Sequence, residues 1–276
     1  MRRIDAHQHF WKFSRGDYGW LTSELAPIYR DFLPEDFAPF MVAHQIDATI
    51  AVQAAPSDAE TDFLLSLAEE YPFIEGVVGW VDFGVGNAPE RVAALACNPR
   101  LKGLRPMIQD LPNDEWMLRP DLAPAFRTLI DCELVFDALV TERHLPSLLG
   151  LTRRYPQMAV VIDHCAKPRI AAGAFDEWAR AMRDLARGEN VFCKLSGLVT
   201  EAGASFDEAT FRPYVDLVLK AFGPQRLIWG SDWPVCTLAA SYERWCSLTD
   251  ALLTGCPAKE RAQILGGNAA RIYGLY

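Results

Sequence analysis

The 276-residue sequence contains no run of 18 apolar residues, so no membrane-crossing helix is expected. Its seven cysteines (Cys97, Cys132, Cys165, Cys193, Cys236, Cys246 and Cys256) include no Cys-x-x-Cys pair. An odd, scattered set argues against a disulfide framework and a structural zinc site, and reads as reduced thiols in the cytoplasm. The opening Met1-Arg2-Arg3-Ile4-Asp5-Ala6-His7 has no apolar leader core and no cleavage site, so no secretory leader is expected. Cations are in short supply: 27 Lys and Arg face 36 Asp and Glu, a net charge of -9. Such a chain repels nucleic acid and anionic membranes, and neither is an expected partner. Linkers, low-complexity segments and literal repeats are also missing, which predicts one domain over residues 1–276. What is present is apolar. With 50% hydrophobic and 23% charged residues, the chain can bury a core rather than stay disordered.

Short apolar runs recur at residues 3–10, 48–54, 75–82, 102–108, 133–140, 158–164, 191–198 and 226–231. They are rich in Val, Ile, Leu and Phe, as strands buried on both faces are. Helical patterns fill most of the gaps. Ser57-Asp58-Ala59-Glu60 predicts a capping box opening a helix to Tyr71. Asn87-Ala88-Pro89 opens the next, and others are expected over 122–132, 141–155, 175–187, 210–222 and 242–253. Strand–helix alternation implies parallel strands, and eight units in this length predict a closed (β/α)8 TIM barrel of the α/β class. The open doubly wound sheet is the alternative. It usually carries a glycine-rich phosphate turn after its first strand, where this sequence has His7-Gln8-His9. A long aromatic loop follows that strand, residues 11–33, with Trp11, Phe13, Tyr18, Trp20, Tyr29 and Phe32. Trp11 and Trp20 are candidates for a pocket wall over the barrel mouth; a loop packed down on its own aromatics is the other reading.

Side chains alternate along a strand, so His7 and His9 are expected on one face, with Asp5 beside them. Two imidazoles so placed suit a divalent metal, although a short His-x-His motif also serves as a hydrogen-bonded pair. His164 ends the sixth strand after Asp163, which reads as a cap. Asp232 follows Gly230 at the exit of the eighth strand, where it can ligate a metal, accept a proton from water or simply cap a turn. Further polar groups end other strands: Gln53, Arg105, Asp137 and Lys194 with Ser196. Each is a candidate substrate contact or a structural ion pair. His44 and His144 are expected at the surface.

The combination of Ile4-Asp5-Ala6-His7-Gln8-His9-Phe10, Ile162-Asp163-His164 with Lys167-Pro168, Lys194-Leu195-Ser196-Gly197-Leu198, Trp229-Gly230-Ser231-Asp232-Trp233-Pro234 and Gly267-Asn268-Ala269-Ala270-Arg271-Ile272-Tyr273 resembles the amidohydrolase superfamily. It is similar to the branch that contains the L-fuconolactone and L-rhamnonolactone hydrolases. The resemblance runs from Arg3 to Tyr273. It implies His7 and His9 as metal ligands, Asp232 as general base or ligand, and His164 as ligand or carbonyl polariser. It also implies one divalent ion, zinc first, with a metal-free site as the alternative. Two superfamily ligands are missing: the fourth strand ends in Leu104-Arg105-Pro106, without the bridging lysine, and Asp137 stands where the fifth-strand histidine is expected. A binuclear site is therefore not expected.

The implied reaction is hydrolysis of an aldonolactone to the aldonic acid by activated water, with catalytic Asp232 and His164. Arg105 or Lys194 would stabilise the carbonyl oxygen, and Gln53, Asp137, Trp11 and Trp20 would read the ring. The expected partner is a small lactone, on a monomer or homodimer. Alternatives are a lactonase for carboxylated lactones from aromatic degradation, a zinc-dependent decarboxylase on the same barrel, and a non-catalytic sugar-binding barrel.

Overall fold

A computed structural model describes residues 2–275. Eight parallel strands pair in chain order: β1 Ile4–Gln8, β2 Ala48–Val52, β3 Ile74–Gly79, β4 Leu101–Leu104, β5 Val135–Ala138, β6 Val160–Ile162, β7 Val191–Leu195 and β8 Leu227–Trp229. Helices α1 Pro34–His44, α2 Asp58–Glu70, α3 Ala88–Ala96, α4 Ala123–Asp131, α5 Leu145–Arg154, α6 Asp176–Leu185, α7 Glu208–Phe222 and α8 Tyr242–Leu252 follow the strands in turn. The chain ends with α9 Ala258–Ala262 and α10 Asn268–Ile272. This is the expected (β/α)8 barrel. The strands are shorter than the apolar runs because each run continues past the ladder into the catalytic rim. The seam from β8 back to β1 closes just beyond β8. There Asp232 N donates to His7 O and His9 N donates to Trp233 O, each at 2.7 Å.

Two apolar clusters hold the barrel. Ile4, Ala6, Ile50, Val52, Val78, Val135, Val161, Phe192 and Ile228 form one inside it, joined by Ala269, Tyr273 and Leu275 from the C-terminal segment. The larger cluster lies between strands and helices. Ile4 and Ala6 thus face the barrel axis. Simple alternation would then send His7 outward, but the β1–β2 register shifts between Asp5 and Gln8. That irregularity turns His7 into the mouth. It also corrects the expectation for Asp5, whose carboxylate faces away. Asp5 accepts from Ser231 N at 2.9 Å and from the Tyr242 hydroxyl at 3.1 Å.

Ser57 caps α2, accepting from Glu60 N at 3.1 Å. The other half of the predicted box does not form. The Glu60 carboxylate is buried and accepts from Ala54 N at 2.9 Å and the Tyr18 hydroxyl at 2.6 Å. His144 is likewise buried rather than exposed, its Nδ1 accepting from Thr141 N at 3.1 Å.

Candidate active site

The β8–β1 seam builds the centre of the site. Gly230 permits it: a Cβ there would lie 2.6 Å from His7 Cβ and 2.9 Å from His7 N. With the strands this close, Asp232 emerges beside both histidines. His9 Nδ1 lies 2.7 Å from Val52 O. A carbonyl only accepts, so Nδ1 carries a hydrogen and Nε2 is the nitrogen left to meet Asp232 or a metal. Asp232 Oδ1 is 3.2 Å from His9 Nε2, 3.8 Å from His7 Nε2 and 3.9 Å from His164 Nε2. Three imidazoles therefore converge on one carboxylate oxygen. Burial alone would push the Asp232 carboxyl up; the histidines outweigh it and hold it well below the usual carboxylate range.

Beneath this layer lies a buried charge cluster. Asp163 Oδ1 is 3.1 Å from Lys194 Nζ and 3.4 Å from His7 Nδ1, and its Oδ2 is 3.4 Å from Arg105 Nη1. Burial opposes the Asp163 charge, but Lys194, His7 and Arg105 prevail and keep it ionised. Asp163 thus orients His7. As a supposed cap, it is the functional residue that sequence reasoning missed. Lys194 also pairs with Asp137, which accepts from the Tyr273 hydroxyl at 2.9 Å. Arg105 donates to Gln53 O, and Gln53 Nε2 donates back to Arg105 O at 2.7 Å. Gln53, Asp137 and Lys194 are fully buried, in the floor and not on the pocket wall.

His164 reaches the mouth through unusual backbone. His164, Cys165, Ala166 and Lys167 have φ of 52°, 51°, 60° and 49°. Left-handed backbone costs roughly 1–2 kcal/mol per non-glycine residue, so four in succession store several kcal/mol. Such strain collects at functional sites. His164 Nδ1 lies 2.9 Å from Ser196 Oγ, and Gly197 has no side chain to collide with the ring. Burial pushes His164 down to about 4, so the ring is neutral near pH 7.

Above the histidines is a cavity of about 260 Å³, lined by His9, Trp20, Arg105, His164, Lys167 and Asp232, with Gln109, Asp110 and apolar side chains completing the wall. The aromatic loop serves both readings. Trp20 is on the wall, fixed by donation of its indole N–H to Ala54 O at 2.6 Å. Trp11 is buried behind it, ring edge to ring face at 5.6 Å, and donates to Arg30 O. Trp11 packs the wall without lining the cavity.

The amidohydrolase family profile matches residues 4–275. An L-fucono-1,5-lactonase from Burkholderia ambifaria is 46% identical over 277 residues, covering 98% of this chain and 95% of that protein. One from Burkholderia multivorans is 40% identical, covering 99% and 96%. The chain belongs to the amidohydrolase family. A crystal structure of a Burkholderia multivorans amidohydrolase with bound zinc superposes with a TM-score of 0.95 at 40% identity, over the full length of both chains.

Among the described residues this amidohydrolase has two clusters of potential metal ligands, His7–His9–Asp232 and His7–Asp163–His164. Tetrahedral zinc with bonds near 2.0–2.1 Å places neighbouring ligand atoms about 3.4 Å apart. The separations in the first cluster, 3.2 and 3.8 Å, bracket that value. Moreover, with Nδ1 bonded to Val52 O, His9 Nε2 is the ring nitrogen free to ligate, and it sits beside the Asp232 carboxylate. The first cluster therefore fits a divalent ion. The second does not, because Lys194 and Arg105 already neutralise Asp163.

Proposed function

We propose that this hydrolase opens a sugar 1,5-lactone, L-fucono-1,5-lactone first among candidates, to the aldonic acid. The observation that carries the reading is the convergence of three histidine Nε2 atoms on Asp232 at the floor of a cavity of sugar-ring size. The full-length likeness to two L-fucono-1,5-lactonases supports the substrate class.

We assign Asp232 as the acceptor of the proton that water loses as it attacks the carbonyl. The same carboxyl returns that proton to the ring oxygen as the ester bond breaks. Held as an anion by three imidazoles, Asp232 is a weak base, so the carbonyl must be polarised beforehand. We assign Ser196 as the donor to His164 Nδ1, which would leave a hydrogen on Nε2 to bond the carbonyl oxygen. Asp163 fixes the His7 tautomer, and Lys194, Asp137 and Gln53 hold that framework rigid. Trp20 covers a face of the ring. His7, His9 and Asp232 would hold a divalent ion, and zinc suits the nitrogen and oxygen donors. When bound, such an ion supplies Lewis acidity, making water a stronger acid and polarising a carbonyl. We also place the protein in the cytoplasm, where its seven free cysteines would stay reduced.

A carboxylated lactone would need several free cations on the wall, and Arg105 is already engaged by Gln53 and Asp163. Side-by-side acid release from neutral sugar lactones and from a dicarboxylate lactone tests the choice. Turnover of L-fucono-1,5-lactone with none of the dicarboxylate is expected; the reverse preference would overturn the reading.

A further inference from the structure

The left-handed turn has two ends, and the reaction as assigned uses only His164. Lys167 closes the turn, donating its backbone N–H to His164 O at 2.8 Å. A turn closed over three residues aligns side chains three apart. Both His164 and Lys167 accordingly line the catalytic cavity, while Cys165 and Ala166 between them are buried. The other two site cations are committed: Arg105 to Gln53 O and Asp163, Lys194 to Asp137 and Asp163. Among the described residues, no carboxylate or carbonyl holds the Lys167 ammonium. The cation also lines a second, wider cavity of about 570 Å³ with Glu142, Arg143, Arg169 and Glu201, and so stands between the two. Strained backbone here delivers a positive charge, near enough to Glu201 to offset part of the burial of that carboxyl but bonded to no acid, to the rim of a site whose product is an anion.

We propose that Lys167 is a substrate-binding residue whose ammonium donates to the acyl-side oxygens of the lactone and pairs with the carboxylate that ring opening creates. Hydrolysis forms a C–O bond from water, breaks the ring C–O bond, and turns a neutral ester into a carboxylate plus a proton. A fixed cation beside the acyl carbon therefore meets more negative charge as the reaction proceeds, and a charge-assisted bond strengthens accordingly.

The proposal rests on the lactonase reading for its reaction, but calorimetry reads the cation separately. The probes are L-fuconate and L-fucitol, which keeps the hydroxyls and lacks the carboxylate. Lys167→Met is expected to weaken L-fuconate binding by about ten-fold or more, leave L-fucitol within about two-fold, and lower kcat on L-fucono-1,5-lactone by at least about ten-fold. Lys167→Arg should recover most of the L-fuconate affinity, and Lys167→Gln replaces the methionine variant if that variant melts early. Unchanged L-fuconate affinity without the cation would overturn the proposal, as would equal losses for both probes or no L-fuconate binding by the wild type. Lys167-dependent L-fuconate binding by a wild type that opens no sugar lactone would support the cation's role and overturn the lactonase reading alone.

Discussion

His9 shows how one contact sets the chemistry of a site. The Val52 carbonyl forces a hydrogen onto Nδ1 and aims Nε2 at Asp232 Oδ1. Glu60 shows the same logic away from the site. Burial, opposed by bonds from Tyr18 and Ala54 and by the Arg15 charge, pushes its carboxyl up from 4.5 to about 7. The folded state thus binds this proton more tightly than the unfolded chain. The associated stability is fully present below about pH 4.5 and is lost as pH rises through about 7. Glu60→Gln should therefore gain on the wild type in melting temperature between pH 5.5 and 8.5. A constant difference between the two proteins across that range would count against this assignment. Glu60 was legible as part of a cap but not as a buried acid, because Tyr18 lies 42 residues away in sequence. Asp163 was hidden for the same reason: Arg105, Lys194 and His7 come from three other strands.

Among elements, the β8–β1 seam matters most. Gly230 allows it, and the paired backbone places Asp232 against His7 of β1 and His9 just beyond it. Gly230→Ala would drive a methyl into the His7 backbone, which cannot yield as a flexible side chain would. A destabilisation of about 1–3 kcal/mol is expected, with lactone turnover lost before the fold is. Thermal melting and acid release on the same sample read both, and a variant matching the wild type in each would contradict the seam's role. The sequence placed Gly230 at the exit of the eighth strand but could not reveal the register shift after Asp5, which depends on how β1 meets β2. Period-two reasoning paired the two histidines correctly and misplaced Asp5 for that reason.

Across the whole molecule, barrel closure was legible because every strand carries its own apolar run and most gaps carry a helical pattern. The charge layering inside the barrel was not, since it joins β1, β4, β5, β6, β7 and the C-terminal Tyr273. That layering limits metal content. Lys194 and Arg105 act as fixed internal cations beside Asp163, leaving room for one ion at His7, His9 and Asp232. Elemental analysis after zinc saturation and desalting should find no more than one ion per chain; two would contradict the assignment. Asp232 at the seam is assigned the proton transfer in lactone opening. Acid release from L-fucono-1,5-lactone by wild type and Asp232→Asn tests it most directly. A loss of about 10²–10⁴-fold is expected, with the melting temperature preserved. Wild-type turnover by the asparagine variant would contradict it.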